Sequence, residues 1–196
     1  MRQTTNNNRQ MRSLNTGFTL LETLIGVSIL IIAITATFSA TQNGLSSSIE
    51  SKEQVSAYYL AQEAVELVRN VRDANSLYNI QNLAAPRNWL YGLALAGDAC
   101  EFGKVCMVDA LNNTFSSCAT PTTCTKLNQD TNSSSATYGM YSYTSGANWK
   151  ATNYKREIAL TSINSNEVLI TVTMTWSKGL YTKTFKIKET MLNWQS

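Results

Sequence analysis

The chain has 196 residues, with 16 basic and 13 acidic side chains, four cysteines and no histidine. That length holds one modest domain plus an extended element. The missing histidine excludes Ser-His-Asp and Cys-His catalysis and His-containing zinc sites, and no glycine-rich phosphate loop appears.

Residues 1–16 are polar and carry Arg2, Arg9 and Arg12 with no acid; from residue 18 onward acidic and basic side chains balance at 13 each. Bulk charge therefore does not mark a nucleic-acid binder. From Phe18 to Ala40 the chain is apolar except for one charge, Glu22. As a helix these residues span about 35 Å, enough to cross a bilayer core. The upstream arginines keep the N-terminus in the cytoplasm and send the C-terminal bulk outward. A carboxylate in lipid costs at least about 2–3 kcal/mol, so Glu22 reads as a functional group seeking a partner.

The block Gly17-Phe18-Thr19-Leu20-Leu21-Glu22, placed between a basic leader and an apolar helix, resembles the class III signal sequence of type IV pilins and pseudopilins. The resemblance covers residues 1 to about 45. It implies cleavage by a prepilin peptidase after Gly17, N-methylation of the new terminus Phe18, and an assembly role for Glu22. The Phe18 ammonium would then partner the Glu22 carboxylate, within one helix or between subunits, and set axial register. Leu20, Leu24, Val27 and Ile31 would supply the packing. The rival readings are an ordinary signal anchor and a secretory signal peptide cut near Ser39-Ala40. Many major pilins have a proline at the position held here by Ser39; this helix has none, which favours a minor pilin or pseudopilin.

Thr41-Gln42-Asn43-Gly44 is a soft spot, where glycine costs up to about 1 kcal/mol in a helix. Beyond it Ala57, Leu60, Ala61, Ala64, Val65, Val68 and Val71 recur with helical spacing and predict an amphipathic helix over 41–75 with a core-facing stripe. Glu66 with Arg69, and Arg69 with Asp73, stand at pairing distance on its outer face. Asp73-Ala74-Asn75-Ser76 reads as its end. A helix from Phe18 to about Asn75 would be roughly 85 Å long. Tyr58 to Asp73 resembles the second half of the long helix in minor pilins of the pilus-modification type. Tyr58 and Tyr59 read as packing against a sheet.

Residues 76–136 read as a variable loop region, punctuated by Pro86, Gly92, Gly97, Gly103 and Pro121. It holds Cys100, Cys106, Cys118 and Cys124, separated by five, eleven and five residues. Each outer pair brackets a tight turn, so pairing of 100 with 106 and 118 with 124 is expected. Two other connectivities remain open, as does a four-cysteine zinc site, although zinc ligands usually stand two to four residues apart. Trp89, Tyr91 and Trp149 with Lys104, Lys126 and Lys150 are candidates for an adhesive or DNA-capturing surface; the bland reading makes the aromatics core and the lysines solvated.

From residue 137 to 196 the period changes to two. Tyr138–Thr144, Tyr154–Ser162, Glu167–Trp176 and Leu180–Glu189 read as strands, with turns at Ser145–Asn148, Asn164–Asn166 and Ser177–Gly179. Val168, Ile170, Val172, Met174 and Trp176 share one face, as do Ile158, Leu160 and Arg156. This predicts an α+β, pilin-like fold: a long N-terminal helix on a three- or four-stranded antiparallel sheet. The C-terminal disulfide loop of many major pilins is absent, since no cysteine follows Cys124.

The expected function is structural. The resemblance implies a single-pass inner-membrane subunit, processed by prepilin peptidase and then joined to other pilin subunits and their assembly machinery. Its destination would be a cell-surface filament or a periplasmic pseudopilus of type II secretion or DNA uptake. No enzyme activity, metal or cofactor is expected.

Overall fold

The computed structural model describes residues 17, 19–118, 120 and 123–194. Residues 1–16, read from the sequence as a leader, and Phe18 and Pro121 lie outside the described residues. One helix, α1, runs Leu20–Gln81. Its start is capped by Thr19, whose Oγ1 accepts the Glu22 N–H at 3.3 Å and whose carbonyl accepts the Thr23 N–H at 3.2 Å. Thr19-Leu20-Leu21-Glu22 thus has the spacing of a capping box, and a carboxylate in the first turn suits the positive end of the helix dipole. The stretch around Gly44 stays helical.

The helix also passes the expected end at Asn75. Its asparagines bind the returning chain instead of turning their own: Asn75 Nδ2 donates to the Trp89 carbonyl at 3.0 Å and the Tyr91 carbonyl at 2.9 Å. Asn79 Oδ1 accepts the Arg87 N–H at 2.8 Å, and its Nδ2 donates to the Arg87 carbonyl at 2.9 Å. Side chains that propensity assigns to a turn are here satisfied by tertiary partners, so the helix continues.

The chain divides between Glu50 and Ser51 into two compact units. In the first, the described part is helix alone. In the second, the rest of α1 packs on a single antiparallel sheet of seven strands: β1 Val105–Asp109, β2 Thr114–Cys118, β3 Lys126–Asp130, β4 Tyr141–Ser142, β5 Trp149–Asn164, β6 Glu167–Lys178 and β7 Tyr181–Leu192. The class is α+β, as expected, with more strands than the three or four anticipated. The additions are β1, β2 and β3, inside the region read as loop.

Their five-residue sequences, such as Thr114-Phe-Ser-Ser-Cys118, lack a clear alternation. Pairing is imposed on β2 by β1, and on β1 and β3 by β5. This 16-residue strand pairs with β6 along one edge; along the other it pairs with β3 through its first half and with β1 at Val105↔Ala159 and Cys106↔Ile158. The meander β5-β6-β7 follows the turns read from sequence. The strand expected over 138–144 shrinks to two residues, because the Met140 and Gly139 backbone is bonded to Asp130.

Ala57, Leu60, Ala61, Ala64, Val65 and Val68 form one core with Ile158, Leu160, Val168, Ile170, Val172, Met174 and Trp176. The stripe and the sheet face predicted by period therefore meet. Arg156 sits in this core with 0 % exposure. Its Nη1 donates to the Leu60 carbonyl at 2.7 Å and to Glu63 Oε2 at 2.5 Å, and its Nη2 to the Val108 carbonyl at 2.6 Å. One guanidinium thus joins α1, β5 and β1. Two further arginines tie α1 to β7: Arg69 pairs with Glu66 and Glu189, and Arg72 donates to the Leu192 carbonyl at 3.2 Å. Asp73 pairs with Arg72, not with Arg69 as its spacing suggested. Tyr58 and Tyr59 depart from expectation too. They are 48 % and 65 % exposed, edge to face with each other, and with Val55 and Phe185 line an open groove at the surface.

Candidate functional site

The first unit carries the residues on which the functional reading rests. Gly17 is exposed just before the cap, Glu22 is exposed in the first helical turn, and Phe18 is outside the described residues. Leu20, Leu24, Val27 and Ile31 are all exposed, with Ile25, Leu30, Ile32 and Ile34 beside them. The apolar stretch is long and hydrophobic enough to cross a membrane, and none of its most apolar window is covered by the protein itself. So large a bare apolar surface requires a cover from outside the chain.

The polar side chains in this stretch are arranged for an apolar cover. Thr23 donates to the Leu20 carbonyl at 2.9 Å, Ser28 to Leu24 at 2.7 Å, Thr35 to Ile31 at 2.9 Å, Thr37 to Ala33 at 2.9 Å and Thr41 to Thr37 at 2.9 Å. Each hydroxyl spends its donor on the preceding turn, which removes the cost of burying it unpaired in lipid or in a helix bundle. The Glu22 carboxylate is the exception, a charge on an otherwise neutral apolar rod. The capping role of Thr19 is a feature that sequence reasoning passed over, although the Thr-x-x-Glu spacing signals it.

In the second unit the four cysteines form two disulfides, Cys100–Cys106 and Cys118–Cys124, each with Cα atoms 5.1 Å apart. The nearest-neighbour pairing holds, and the zinc alternative is removed because all four thiols are consumed. Among the described residues no cluster of His, Cys, Asp or Glu could hold a metal ion. Cys100 and Cys106 lie within the core.

Two aspartates that sequence reasoning missed organise the loops. Asp109 accepts from the Leu111 and Tyr143 N–H groups, Asn112 Nδ2 and Ser142 Oγ. Burial pushes its carboxyl up, but the bonds from Ser142, Asn112, Tyr143 and Leu111 outweigh burial and hold it below the ordinary 3.8. Asp130 accepts from the Asn132 N–H and from Thr137 Oγ1. Both are joints between strands and loops. Tyr143, whose N–H bonds Asp109, packs against the core. Burial pushes its phenol up to about 12, with the Arg156 charge opposing.

The aromatics and lysines proposed as a capture surface do not converge. Trp89 is buried and donates its indole N–H to the Ser165 carbonyl at 3.2 Å, at the end of the sheet where β5 turns into β6. Trp149 and Lys150 begin β5 at the other end. Lys104 pairs with Glu101 at 2.6 Å. Tyr91 faces the Arg87 guanidinium at 5.3 Å.

No protein-family model, curated protein or solved structure matches the chain. The architecture, a long apolar N-terminal helix with an antiparallel sheet packed on its later part, is compatible with a pilin-like fold.

Proposed function

We propose that this chain is a pilin-like structural subunit, most similar to a minor pilin, of a type IV pilus or related filament. Prepilin peptidase cuts after Gly17, Phe18 becomes the methylated terminus, and the apolar helix passes from the inner membrane into a bundle of like helices. The observation that carries this reading is the juxtaposition in one helix of a bare apolar surface, back-bonded hydroxyls and the single charge of Glu22 in the first turn. An ordinary anchor does not call for that carboxylate. A subunit that must stop at a fixed axial position does, because the charge finds its mate at only one register. A pseudopilus of a secretion or DNA-uptake system uses the same chemistry and is the second reading.

The test is intact mass and N-terminal sequencing of the protein from its native membrane. The expected terminus is methyl-Phe18. An intact leader, or a terminus near Ala40, overturns the assembly role. With Glu22→Gln, the protein is expected to remain membrane-bound and processed but to be lost from sheared filaments.

A further inference from the structure

The sheet of the second unit ends in an open edge. Among the described residues, β7 pairs with β6 alone. Their register runs unbroken from Lys178↔Tyr181 to Glu167↔Leu192. Two bonds fix which backbone groups look outward. The Asn193 N–H donates to the Asn166 carbonyl at 2.9 Å, so the pair next to Leu192 is a hydrogen-bonded one. The Leu192 carbonyl accepts from Arg72 of α1 and so points away from β6. Alternation along an antiparallel ladder then turns the N–H and C=O groups of Thr182, Thr184, Lys186, Lys188 and Thr190 outward. An unpaired edge offers such groups to another strand. A groove follows this edge on the helix side. It starts between Val55, Tyr58, Tyr59 and Phe185, continues past Gln62 and Ile187, and closes where Arg69 pairs with Glu189. The other face of β7 presents Lys186 and Lys188, both exposed among threonines, and no acid of β7 shares that face.

We infer that β7 is a strand-addition site, and that its occupant is an extended acidic segment of another protein. Every pairing in the sheet is antiparallel, and an antiparallel newcomer continues it through the outward groups. Residues opposite one another across two strands share a face. Side chains of the added strand beside Phe185 and Ile187 therefore enter the groove and are apolar. Those opposite Lys186 and Lys188 are carboxylates. A second copy of this chain is the wrong occupant. Edge-to-edge pairing of two β7 strands gathers both lysines of each copy on one face, and like charges across strands are destabilising. Lysine at an edge thus blocks self-pairing while attracting an acidic strand. In such an addition main-chain bonds supply affinity, and alternate side chains supply selectivity. The inference concerns the second unit alone and does not depend on the pilin-like reading of the apolar helix.

The test uses the full oxidised chain in detergent micelles and a fluorescent synthetic peptide, Thr-Glu-Val-Glu-Phe-Glu-Val-Thr with blocked ends. One control peptide has lysine for glutamate. A second is N-methylated at its glutamates, which removes the donors that face β7. Binding is read by fluorescence polarisation, and the site by amide hydrogen exchange. The expected result is saturable binding of the glutamate peptide, binding of both controls weaker by at least about tenfold, and slowed exchange at 182–190. The double variant K186E/K188E, altered only at exposed positions, should reverse the preference in favour of the lysine peptide. An unreversed preference overturns the proposed partner chemistry. Equal binding of the N-methylated peptide assigns the attraction to charge alone and overturns strand addition. Protection on β2 or β4, at the other end of the sheet, overturns the site. So does the absence of saturation below about 1 mM. Exchange at 182–190 that slows with protein concentration and without peptide assigns the edge to a second copy, and also overturns the inference.

Discussion

Replacing Arg156 with methionine tests what holds the helix to the sheet. The substitution keeps most of the side-chain length and deletes three charge-assisted hydrogen bonds, to Leu60, Glu63 and Val108. The Leu60 carbonyl lies within the helix, and the Glu63 side chain is 40 % exposed and rehydrates. The Val108 carbonyl is left in the core without this partner, a loss of about 1–3 kcal/mol. Breaking a buried ion pair by removing one member typically costs about 3–5 kcal/mol, and the exposure of Glu63 puts this case at the lower end. We expect about 2–4 kcal/mol of lost stability for R156M. With a urea slope of about 2 kcal/mol/M, that lowers the unfolding midpoint by about 1–2 M. The assay is urea unfolding of the oxidised full chain in detergent, followed by tryptophan fluorescence, which reports buried Trp89 and Trp176. E63Q should also destabilise, because it strands a buried charge. The double variant should recover part of the loss, with a coupling above about 1 kcal/mol. A single R156M within about 0.5 kcal/mol of the native protein, at unchanged slope, would refute the reasoning.

Other expectations follow from the same geometry. Asp109 has its carboxyl below the ordinary value, so its stabilisation is present above pH 3.8 and is lost as pH falls through the lower folded value. D109N should be less stable at pH 7 and show a flatter acid limb of urea midpoint against pH. Tyr143 is shifted the other way, so its contribution is complete below pH 10 and is lost as pH rises through about 12; Y143F should flatten the alkaline limb. Each disulfide closes a loop of sequence separation 6, worth about 2 kcal/mol by chain entropy. Removing Cys100–Cys106 should cost more than removing Cys118–Cys124, since only the former pair lies in the core cluster; equal midpoint shifts would refute that. Finally, T19A should weaken the helix start by about 1 kcal/mol. If Glu22 acts in assembly rather than capping, filament yield should survive T19A and fail with E22Q.

The elements legible in the sequence are those whose own period carries them. The stripe from Ala57 to Val68 and the alternation from Val168 to Trp176 each name a face, and the two faces meet. The less obvious inward placement of Arg156 also follows from its spacing with Ile158 and Leu160. The illegible parts are set by partners distant in the chain. Strand β1 exists because β5 lies beside it, and the last turns of α1 persist because Asn75 and Asn79 bind residues 87–91. Tyr58 and Tyr59 misled for a related reason. Aromatics on a helix suggest cover, yet the stripe beside them already fills the sheet, and the pair is left at the surface. In the candidate site Gly17 and Glu22 are carried by a resemblance, whereas the back-bonding of Ser28, Thr35 and Thr37 is visible only in coordinates.

The position of β5 has a consequence for how the chain is born. The apolar stripe of α1 is synthesised early, but Ile158, Val172 and Met174 are encoded about a hundred residues later. At roughly 5–20 residues per second, ribosomes leave that stripe bare for about 5–20 s. Strands β1 and β3 wait as well, since their shared neighbour follows both. Tertiary structure in this unit therefore closes from its C-terminal third, and a nascent chain stalled before residue 149 should be a substrate for holding chaperones or proteases.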